Sequence, residues 1–364
     1  MVRNTLCMTC SPVLFTWTFC IMKCYKYRLK LTTKQEKQIN QMIWCCRFVY
    51  NKWVAESKEK YIWKFNLMKE LKDWKKEYTW LKECNSQSLQ QTISNLDKAY
   101  QNFFKKRSKY PKFHKKESWW AIHIPQHITF ADWILKVPKM KLKTIEHREL
   151  KGNIRNCTIS RTATWKYYVS IITDYVEQKP SWTWTVWIDV GIKEIATISD
   201  GTAISNPRRL QKSMRKLKKQ QRWLSRKVKW SSNRNKQRKR VAVIHEKVSN
   251  QRKDYLHKAT TGLSKRYETV VVEKLNVKWM LKNHKLAQSI SNVGRWMFED
   301  MLKYKMNVIE VNPKNTSKMC SNCGNIKEQL KLSDRIYSCD TCWEIMDRDY
   351  NASLNILARA TTKI

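Results

Sequence analysis

The hydrophobic and polar positions in the first part of the chain change their period twice. Residues 26–31 alternate between the two classes, which predicts a strand. Either Thr32 or Thr33 then stands where a helix N-cap is expected, with Glu36 placed as in a capping box. From residue 34 to about residue 106 the apolar positions recur with a helical period, so this segment is predicted to be mainly helical.

The pattern within and after this helical segment predicts a change of structure. The helical period is broken near residues 82–86. Beyond the break, one core-facing stripe is formed by Leu89, Ile93, Leu96, Tyr100 and Phe103. A solvated connection and phosphate contact explain the basic, proline-containing loop at 107–118 equally well. Residues 119–180 then contain several short strands, which predicts a small barrel or sandwich. The character of the chain shifts at Pro180, which we interpret as a domain boundary.

The second part of the chain alternates short apolar runs with helical patterns. Residues 185–205 form an almost continuous apolar run, as expected for two adjacent strands of a buried sheet. Residues 270–272 form a further short apolar strand. A helix-like segment at 287–304 and a strand at 306–312 follow it.

Three acidic residues occupy unusual places in this pattern. Asp189 lies inside the apolar run, where a carboxylate must be solvated, paired or metal-bound. Glu273 ends the next strand, and Asp349 precedes a helical pattern, where an acid is more often a cap than a catalyst. Clustered carboxylates raise one another's pKa unless a divalent cation neutralises them. If the three meet in space, two Mg2+ ions could activate a water and stabilise the leaving oxygen of a phosphodiester.

Four cysteines near the end of the chain form two closely spaced pairs separated by fifteen residues. They are Cys320, Cys323, Cys339 and Cys342. Such pairs supply the four thiolates of a tetrahedral Zn2+ site, and residues 336–338 resemble one strand of a hairpin between them. Two disulfides or free thiols are the alternative. The other cysteines of the chain show no disulfide-like regularity, so zinc is favoured.

The charge of the chain predicts a polyanionic partner. Its 73 Lys and Arg residues against 30 Asp and Glu give a formal net charge of +43. Nucleic acid would neutralise this excess. An acidic membrane is the main competitor, but no stretch of 18 apolar residues exists.

The basic residues concentrate in one segment. Residues 208–240 hold sixteen Lys and Arg and no acid, with heptad-like apolar positions that predict one helix, and a second helix is predicted at about 241–266. A run of charged residues usually forms the solvent-exposed face of a helix. Sixteen like charges would nevertheless repel one another, which favours a phosphate backbone as their neighbour. The predicted nucleic-acid contacts are Arg208, Arg209, Lys212, Arg215, Lys216, Lys219, Arg222, Arg226, Arg234, Arg238 and Arg252.

The chain resembles the TnpB family of transposon-encoded proteins, related to type V CRISPR nucleases, over nearly all of residues 22–364. The matching stretches include MKCYKYRLKLT, CCRFVYNKW, SQSLQQTISNLDKAYQNFF, YPKF, WIDVGIKEIATISDGT, NQRKDYLHK, VVVEKLNVK, CSNCG, CDTC and DRDYNASLNI. Together these motifs are highly specific.

This resemblance implies a fold that combines α/β, all-α and small β-barrel parts. An RNase H-like (RuvC) nuclease domain would carry an inserted zinc ribbon, and an N-terminal wedge barrel would carry an inserted helical recognition domain. We interpret residues 1–21 as an upstream extension of the reading frame, because no signal-peptide cleavage site follows their apolar run. The other implied divisions are 22–33 and 119–180 for the barrel, 34–118 for the helical domain, 181–315 and 346–364 for the nuclease domain, and 316–345 for the ribbon.

The resemblance also implies an activity and its site. In the family, acids of the IDVG-like, VVVE-like and DRD motifs carry catalytic Mg2+, and these fall on Asp189, Glu273 and Asp349. The implied activity is RNA-guided cleavage of double-stranded DNA next to a short transposon-adjacent motif. The implied partners are a guide RNA from the transposon end and target DNA, without a membrane. The implied location is the prokaryotic cytoplasm, in association with the nucleoid.

Two other functions use the same residues. A catalytically impaired zinc-ribbon DNA- or RNA-binding protein, or a regulator of transposition, would keep the basic surface without the cleavage. A transposase that performs strand transfer would use the same three acids, and dependence of cleavage on a guide separates it from the first reading.

Tryptophan replaces glycine where the chain departs from the family. Glycine occurs 6 times and tryptophan 18 times in 364 residues, against about 7% glycine in average proteins. The family usually has glycine at the positions of Trp44, Trp187, Trp230, Trp279 and Trp343. We hypothesise that many of these codons are TGA, read as glycine in the source organism and as tryptophan here. Several of these positions are turns, where glycine supplies a positive φ.

Overall fold

The computed structural model describes most of the chain. The described residues are 22–57, 61–116, 121–175, 184–191, 194–207, 209–274, 294–330 and 334–361. The predictions for residues 1–21, for Arg208, for Trp279 and for the helix at 287–293 lie outside these ranges. The chain divides into two compact units, Met1–Gln178 and Lys179–Ile364, next to the change of character at Pro180.

An antiparallel sheet is the frame of the first unit. Its seven strands follow the order β2-β6-β7-β1-β5-β4-β3. The strands are β1 (Lys23–Lys30), β2 (Ala121–Ile124), β3 (Thr129–Ala131), β4 (Ile134–Val137), β5 (Met140–Thr144), β6 (Ile154–Arg161) and β7 (Tyr167–Thr173). The predicted strand at 26–31 is confirmed within β1, whose buried Tyr25, Tyr27 and Leu29 alternate with exposed positions.

The predicted barrel is not closed among the described residues. The end strands β2 and β3 do not pair with each other. They are only 4 and 3 residues long, so each offers few backbone groups for a closing ladder. Helices of the same unit pack against β2.

The helices of the first unit begin at a capping box. They are α1 (Thr33–Glu56), α2 (Lys64–Glu77), a 3-10 turn (Thr79–Glu83) and α3 (Ser86–Phe104). Thr32 is the N-cap of α1, so the third helical residue is Gln35, and the two exchange side-chain and backbone hydrogen bonds of 3.4 and 2.9 Å. The prediction that Glu36 completes the box was therefore wrong by one residue. In the predicted α3 stripe, Phe103 is only half-buried and the other four residues are buried.

A mixed sheet forms the centre of the second unit. Its five strands follow the order β10-β9-β8-β11-β12, and β8, β11 and β12 are parallel. The strands are β8 (Thr185–Asp189), β9 (Glu194–Ile198), β10 (Ala203–Ser205), β11 (Thr269–Glu273) and β12 (Asn307–Val311). A small hairpin follows with β13 (Ile336–Ser338), as predicted, and β14 (Ile345–Asp347).

Helices cover both faces of this mixed sheet. The covering helices are α5 (Ser232–Ser264), α6 (Arg295–Lys305) and α7 (Arg348–Thr361), whereas α4 (Arg209–Ser225) packs against α5. On one face, side chains of β8 and β11 pack with α5 and α6 through Leu256, Leu263 and Phe298. On the other face, Trp187 and Val271 pack with Ile356 of α7. The alternation of the strands thus sends successive residues to different helices.

The basic segment is two helices rather than one. The predicted helix at 208–240 ends at Ser225, and α5 begins at Ser232 after a turn of six residues. Trp230 in this turn has a φ of 71°, which an α-helix excludes. Ser231 then caps α5 by accepting a hydrogen bond of 3.1 Å from the backbone N–H of Arg234.

Tryptophan occupies several left-handed backbone positions. Among the described residues, four of the nine non-glycine residues with a positive φ are tryptophans: Trp133, Trp165, Trp230 and Trp343. A left-handed conformation costs a residue with a Cβ about 1–2 kcal/mol, and glycine avoids that cost. The backbone at these positions therefore has the geometry that glycine prefers, and Trp230 and Trp343 are among the five positions named by the glycine hypothesis, whereas Trp44 and Trp187 lie inside a helix and a strand.

The Trp230→Gly and Trp343→Gly variants should each stabilise the protein by about 1 kcal/mol, because left-handed strain is relieved. Their side chains are 92% and 82% exposed, so little packing is lost. Trp133→Gly is the matched control, because its ring lies 6.1 Å from the rings of Tyr27 and Phe130 and that packing would be lost. Urea unfolding measures all three. A loss of stability in the first two variants would contradict the strain argument.

Candidate active site and metal centre

The sheet brings two of the predicted acids together at its carboxyl edge. Pairing of β8 with β11 matches Trp187 with Val271 and Ile188 with Val272. Asp189 and Glu273 come one residue later on adjacent parallel strands, and strand alternation puts them on the face covered by α7. The third acid, Asp349, is the second residue of α7.

At the start of α7, the acid that caps the helix is not the acid predicted to bind metal. Asp347 accepts hydrogen bonds from the backbone N–H groups of Asp349 (2.8 Å) and Tyr350 (3.1 Å). Asp347 is therefore the capping acid. The carboxylate of Asp349 is not used as a cap and is 39% exposed.

Asp189 lies in the field of the other two acids. Burial, and to a smaller extent the charges of Glu273 and Asp349, raise the pKa of Asp189 to about 7, although Arg295 and Arg348 oppose the shift. Burial also raises the pKa of Glu273, and the hydroxyl of Thr316, which donates to it at 2.5 Å, opposes that rise. The sequence reasoning missed Thr316, because no local pattern marks a residue that is distant along the chain.

The three carboxylates are close but not in contact. Among the described residues, only the four cysteines form a group of three or more potential ligands whose atoms all lie within 4.8 Å of one another. Thr316 holds Glu273, and Arg335 lies 3.8 Å from Asp349. An all-oxygen donor set whose charge the nearby arginines only partly compensate fits Mg2+, which takes oxygen ligands and keeps several waters.

Trp187 fills the space between the sheet and α7. Its side chain is 0% exposed and packs with Val271, Val311 and Ile356. Its indole N–H is buried without a hydrogen-bond partner in the described structure, which is unfavourable. Trp187 lies two residues before Asp189 on the same face of the sheet. Its bulk therefore limits how closely α7, which carries Asp349, can approach Asp189.

The four cysteines form a compact thiol cluster. The Sγ atoms of Cys320 and Cys342 are 3.6 Å apart, and those of Cys323 and Cys339 are 3.5 Å apart. Ligands at the usual Zn–S distance in a tetrahedron lie about 3.8 Å from one another, so the spacing fits zinc. Hydrogen bonds from the backbone N–H groups of Cys342 and Thr341 lower the pKa of the Cys339 thiol to about 6, which favours the thiolate.

Each cysteine pair is followed by a turn, and the two turns are of the same kind. The N–H of Gly324 donates to the carbonyl of Cys320 at 3.0 Å, and the N–H of Trp343 donates to that of Cys339 at 3.2 Å. The φ of Gly324 is 76° and that of Trp343 is 62°. Trp343 therefore occupies the position that glycine has in the first turn.

Two buried asparagines join the cysteine region to α7. Asn351 accepts from the N–H of Ser321 at 2.9 Å and donates to the carbonyl of Met319 at 2.8 Å. Asn355 donates to the carbonyls of Met319 and Thr316. Leu354 of α7 is only half-buried, whereas Ala352 and Ile356 are buried beside the asparagines. The i, i+4 spacing of the two asparagines was the available signal.

Most of the predicted nucleic-acid contacts lie on exposed positions of α4, α5 and the turn between them. The exposed residues are Lys212, Arg215, Lys216, Lys219, Arg222, Arg226 and Arg238. Arg234 instead donates to the carbonyls of Leu224 and Lys227 at 2.8 and 2.9 Å, which satisfies the end of α4. Arg252 is half-buried, and nothing is described for the side chain of Arg209.

No helix in the described part of the chain is long and apolar enough to cross a membrane.

Three family descriptions match separate parts of the chain. The family described as "Probable transposase" matches residues 166–284. The "Cas12f1-like, TNB domain" matches residues 296–356, and a "Helix-turn-helix domain" matches residues 21–62.

Two curated relatives match almost the whole chain. A protein of Streptomyces pristinaespiralis, to which an RNA-guided DNA endonuclease function is ascribed, is 34% identical over 93% of this chain and 89% of its own length. A protein of Escherichia coli K12 with the same ascribed function is 33% identical over 93% and 92%. Among solved structures, Cas12f1 in complex with sgRNA and target DNA has a similar fold, with a TM-score of 0.56 at 15% identity, covering 89% of this chain and 83% of Cas12f1.

The Asp189→Asn variant should stabilise the protein in Mg2+-free buffer at pH 8. The folded pKa of Asp189 is about 7, above about 3.9 in the unfolded chain. Ionisation therefore favours unfolding, and stability is lost as the pH rises from about 4 to 7. After allowance for screening, the gain at pH 8 should be about 2 kcal/mol, and it should shrink towards pH 4.

Thermal unfolding at pH 5 and pH 8 measures this gain. Asp73→Asn is the control, because Asp73 is 71% exposed and pairs with Lys76 at the surface. An equal gain for Asp189→Asn at both pH values would contradict the predicted titration.

Proposed function

Because this chain belongs to the TnpB family of transposon-encoded proteins, we propose that it is an RNA-guided, metal-dependent endonuclease that cleaves double-stranded DNA next to a short transposon-adjacent motif. The observation that carries this proposal is the placement of two acids on adjacent parallel strands at one edge of the mixed sheet, with a third acid at the start of the helix that covers the same face. The catalytic acids would be Asp189, Glu273 and Asp349. The names of the relatives, which describe RNA-guided DNA endonucleases, support it.

The three acids would hold Mg2+ in a RuvC-like domain. Bound Mg2+, in two positions, would supply a nucleophilic water and stabilise the leaving oxygen of the phosphodiester. Asp189 and Glu273 provide fixed carboxylates on adjacent strands. Asp349 completes the set from α7, with its backbone N–H bonded to Asp347. Burial and the neighbouring acids raise the pKa of Asp189 to about 7, so a bound cation would favour the ionised form of this carboxylate at neutral pH.

Guide RNA and target DNA are the partners that fit the charge. The exposed basic residues of α4 and α5 form a surface on which phosphates would neutralise like charges. Base pairing with the guide would read the target sequence, while the protein would read duplex shape and the short motif. In a prokaryotic cell these reactions would take place in the cytoplasm at the nucleoid.

The cysteine cluster would be a structural zinc ribbon. All four ligand positions are taken by thiols, which leaves none for a substrate. Through Asn351 and Asn355, the ribbon would hold the helix that carries Asp349.

One observation favours a second function, that of a catalytically impaired DNA- or RNA-binding protein or regulator of transposition. Trp187 fills the space between the sheet and α7, and the three carboxylates do not meet within metal-ligand distance. If Trp187 is the native residue, the basic surface would be retained while cleavage is weakened.

Substitution of a metal-binding acid should abolish guided cleavage. The Asp349→Ala variant should lose about 10³-fold in rate, because metal-assisted stabilisation is worth several kcal/mol. The protein is co-expressed with its flanking transposon-end RNA and given Mg2+ and a plasmid with a matching target beside a randomised motif. Asp340→Asn is the control, because Asp340 is exposed and pairs with Lys327 in the ribbon.

The same assay separates the two functions. Cleavage that requires RNA and is lost in Asp349→Ala supports the nuclease. Cleavage only by a form with glycine at the suspect tryptophans supports the codon hypothesis. Failure of both forms to cut while RNA remains bound favours the binding protein, and cleavage without RNA indicates a different enzyme.

Loss of one ribbon cysteine should release the zinc and destabilise the protein. The Cys339→Ser variant should lose its zinc and lower the Tm by several degrees, since structural zinc contributes folding energy directly. Zinc analysis and thermal unfolding measure both effects. Cys24→Ser, at an exposed cysteine of β1, should leave both unchanged. A zinc-free chain with an unchanged Tm would argue against a structural metal.

A further inference from the structure

We propose that Arg295 is a positioning residue, whose guanidinium holds the carboxyl ends of the strands that carry Asp189 and Glu273 at the spacing that metal binding requires. This inference rests on the proposed function. Neither the sequence motifs nor the family descriptions assign a role to this residue.

The location of Arg295 is unfavourable unless the residue has specific partners. It is the first residue of α6, where the helix dipole is positive, and it is only 5% exposed. Burying a charge is costly unless it is paired and fully hydrogen-bonded. Its Nε donates to Oε1 of Glu299, one turn later, at 2.7 Å. Glu299 therefore compensates the charge and fixes the plane of the guanidinium.

The other donors of the guanidinium reach both acid-bearing strands. Nη1 donates to the carbonyl of Val190, which follows Asp189, at 2.9 Å. Nη2 lies 3.5 Å from the carbonyl of Glu273 itself. The planar fork of arginine can bridge two acceptors in this way, which the single ammonium of lysine cannot do with the same geometry.

The hydrogen bonds of Arg295 link β8 and β11 at a point where the backbone pairing between these strands has ended. The described pairing of β8 with β11 stops at Ile188 and Val272. Asp189 and Glu273 are the next residues, and like charges side by side favour separation of the strands. Arg295 links the two strands at this point and also supplies positive charge beside both acids. Partners of this kind typically change metal affinity 10- to 100-fold when they are removed.

Two substitutions and one control separate positioning from charge. Arg295→Lys keeps the charge but not the fork, and Arg295→Met removes both while keeping an apolar stem. Lys303→Met is the control, because Lys303 lies on the same helix and pairs with Glu310 of the same sheet at 2.7 Å. The control thus removes an ion pair between α6 and the sheet without touching Val190 or Glu273.

Metal binding gives a readout that does not depend on cleavage. The shift in Tm with Mn2+ concentration yields an apparent Kd for the full-length protein. We expect both Arg295 variants to bind Mn2+ about 10- to 100-fold more weakly, with guide-RNA affinity unchanged and with cleavage that requires correspondingly more Mg2+. Lys303→Met should match the unaltered protein. If Arg295→Met does not fold, Arg295→Lys decides.

The outcomes distinguish this inference from the proposed function. Wild-type Mn2+ affinity in Arg295→Lys would overturn the positioning role, because the fork would then be dispensable. Asp189→Ala provides the reference for binding at the site. If that variant binds Mn2+ as well as the unaltered protein, the acids are not the metal site, and both the proposed function and this inference fail.

Discussion

The burial of two carboxylates, together with the repulsion of one of them by its neighbours, is the constraint on which the second unit depends. The parallel strands β8 and β11 deliver Asp189 and Glu273 to one edge, and α7 adds Asp349 nearby. Burial raises the pKa of Asp189 and Glu273, so the arrangement works against folding while no cation is bound. The bonds from Thr316 to Glu273 and from Arg295 to the strand ends counteract this repulsion without neutralising it. A site with such residual repulsion is suited to a divalent cation.

The same constraint explains why the cysteine region is joined to α7. A helix that carries an acid towards two others needs attachment elsewhere, and its buried face supplies this through Asn351 and Asn355 rather than through apolar contacts alone. Asp347 satisfies the first backbone N–H groups, which frees Asp349 from capping. The charge on the rest of the chain has the opposite sign, so phosphates and metal ions would neutralise complementary parts of one molecule.

Local patterns predicted the parts of the structure whose causes are local. Apolar alternation identified β1, and the cysteine spacing identified a cluster whose Sγ atoms do meet. Arg295 and Thr316 could not be recognised, because their roles arise from contacts with strands distant along the chain. Closure of the first sheet was predicted wrongly, since strand count alone does not reveal that the end strands are too short to pair.

The missed helix break shows how one residue type can hide a structural signal. Lysine and arginine favour helix on both sides of Trp230, and tryptophan there does not mark a turn, whereas a glycine before Ser231 would have done so. The two cysteine turns make the same point within one molecule. Gly324 and Trp343 occupy equivalent places with φ values of 76° and 62°. Because the second turn keeps the left-handed geometry that the first achieves with glycine, the backbone requirement belongs to the fold, and the tryptophan side chain, 82% exposed, contributes little to it.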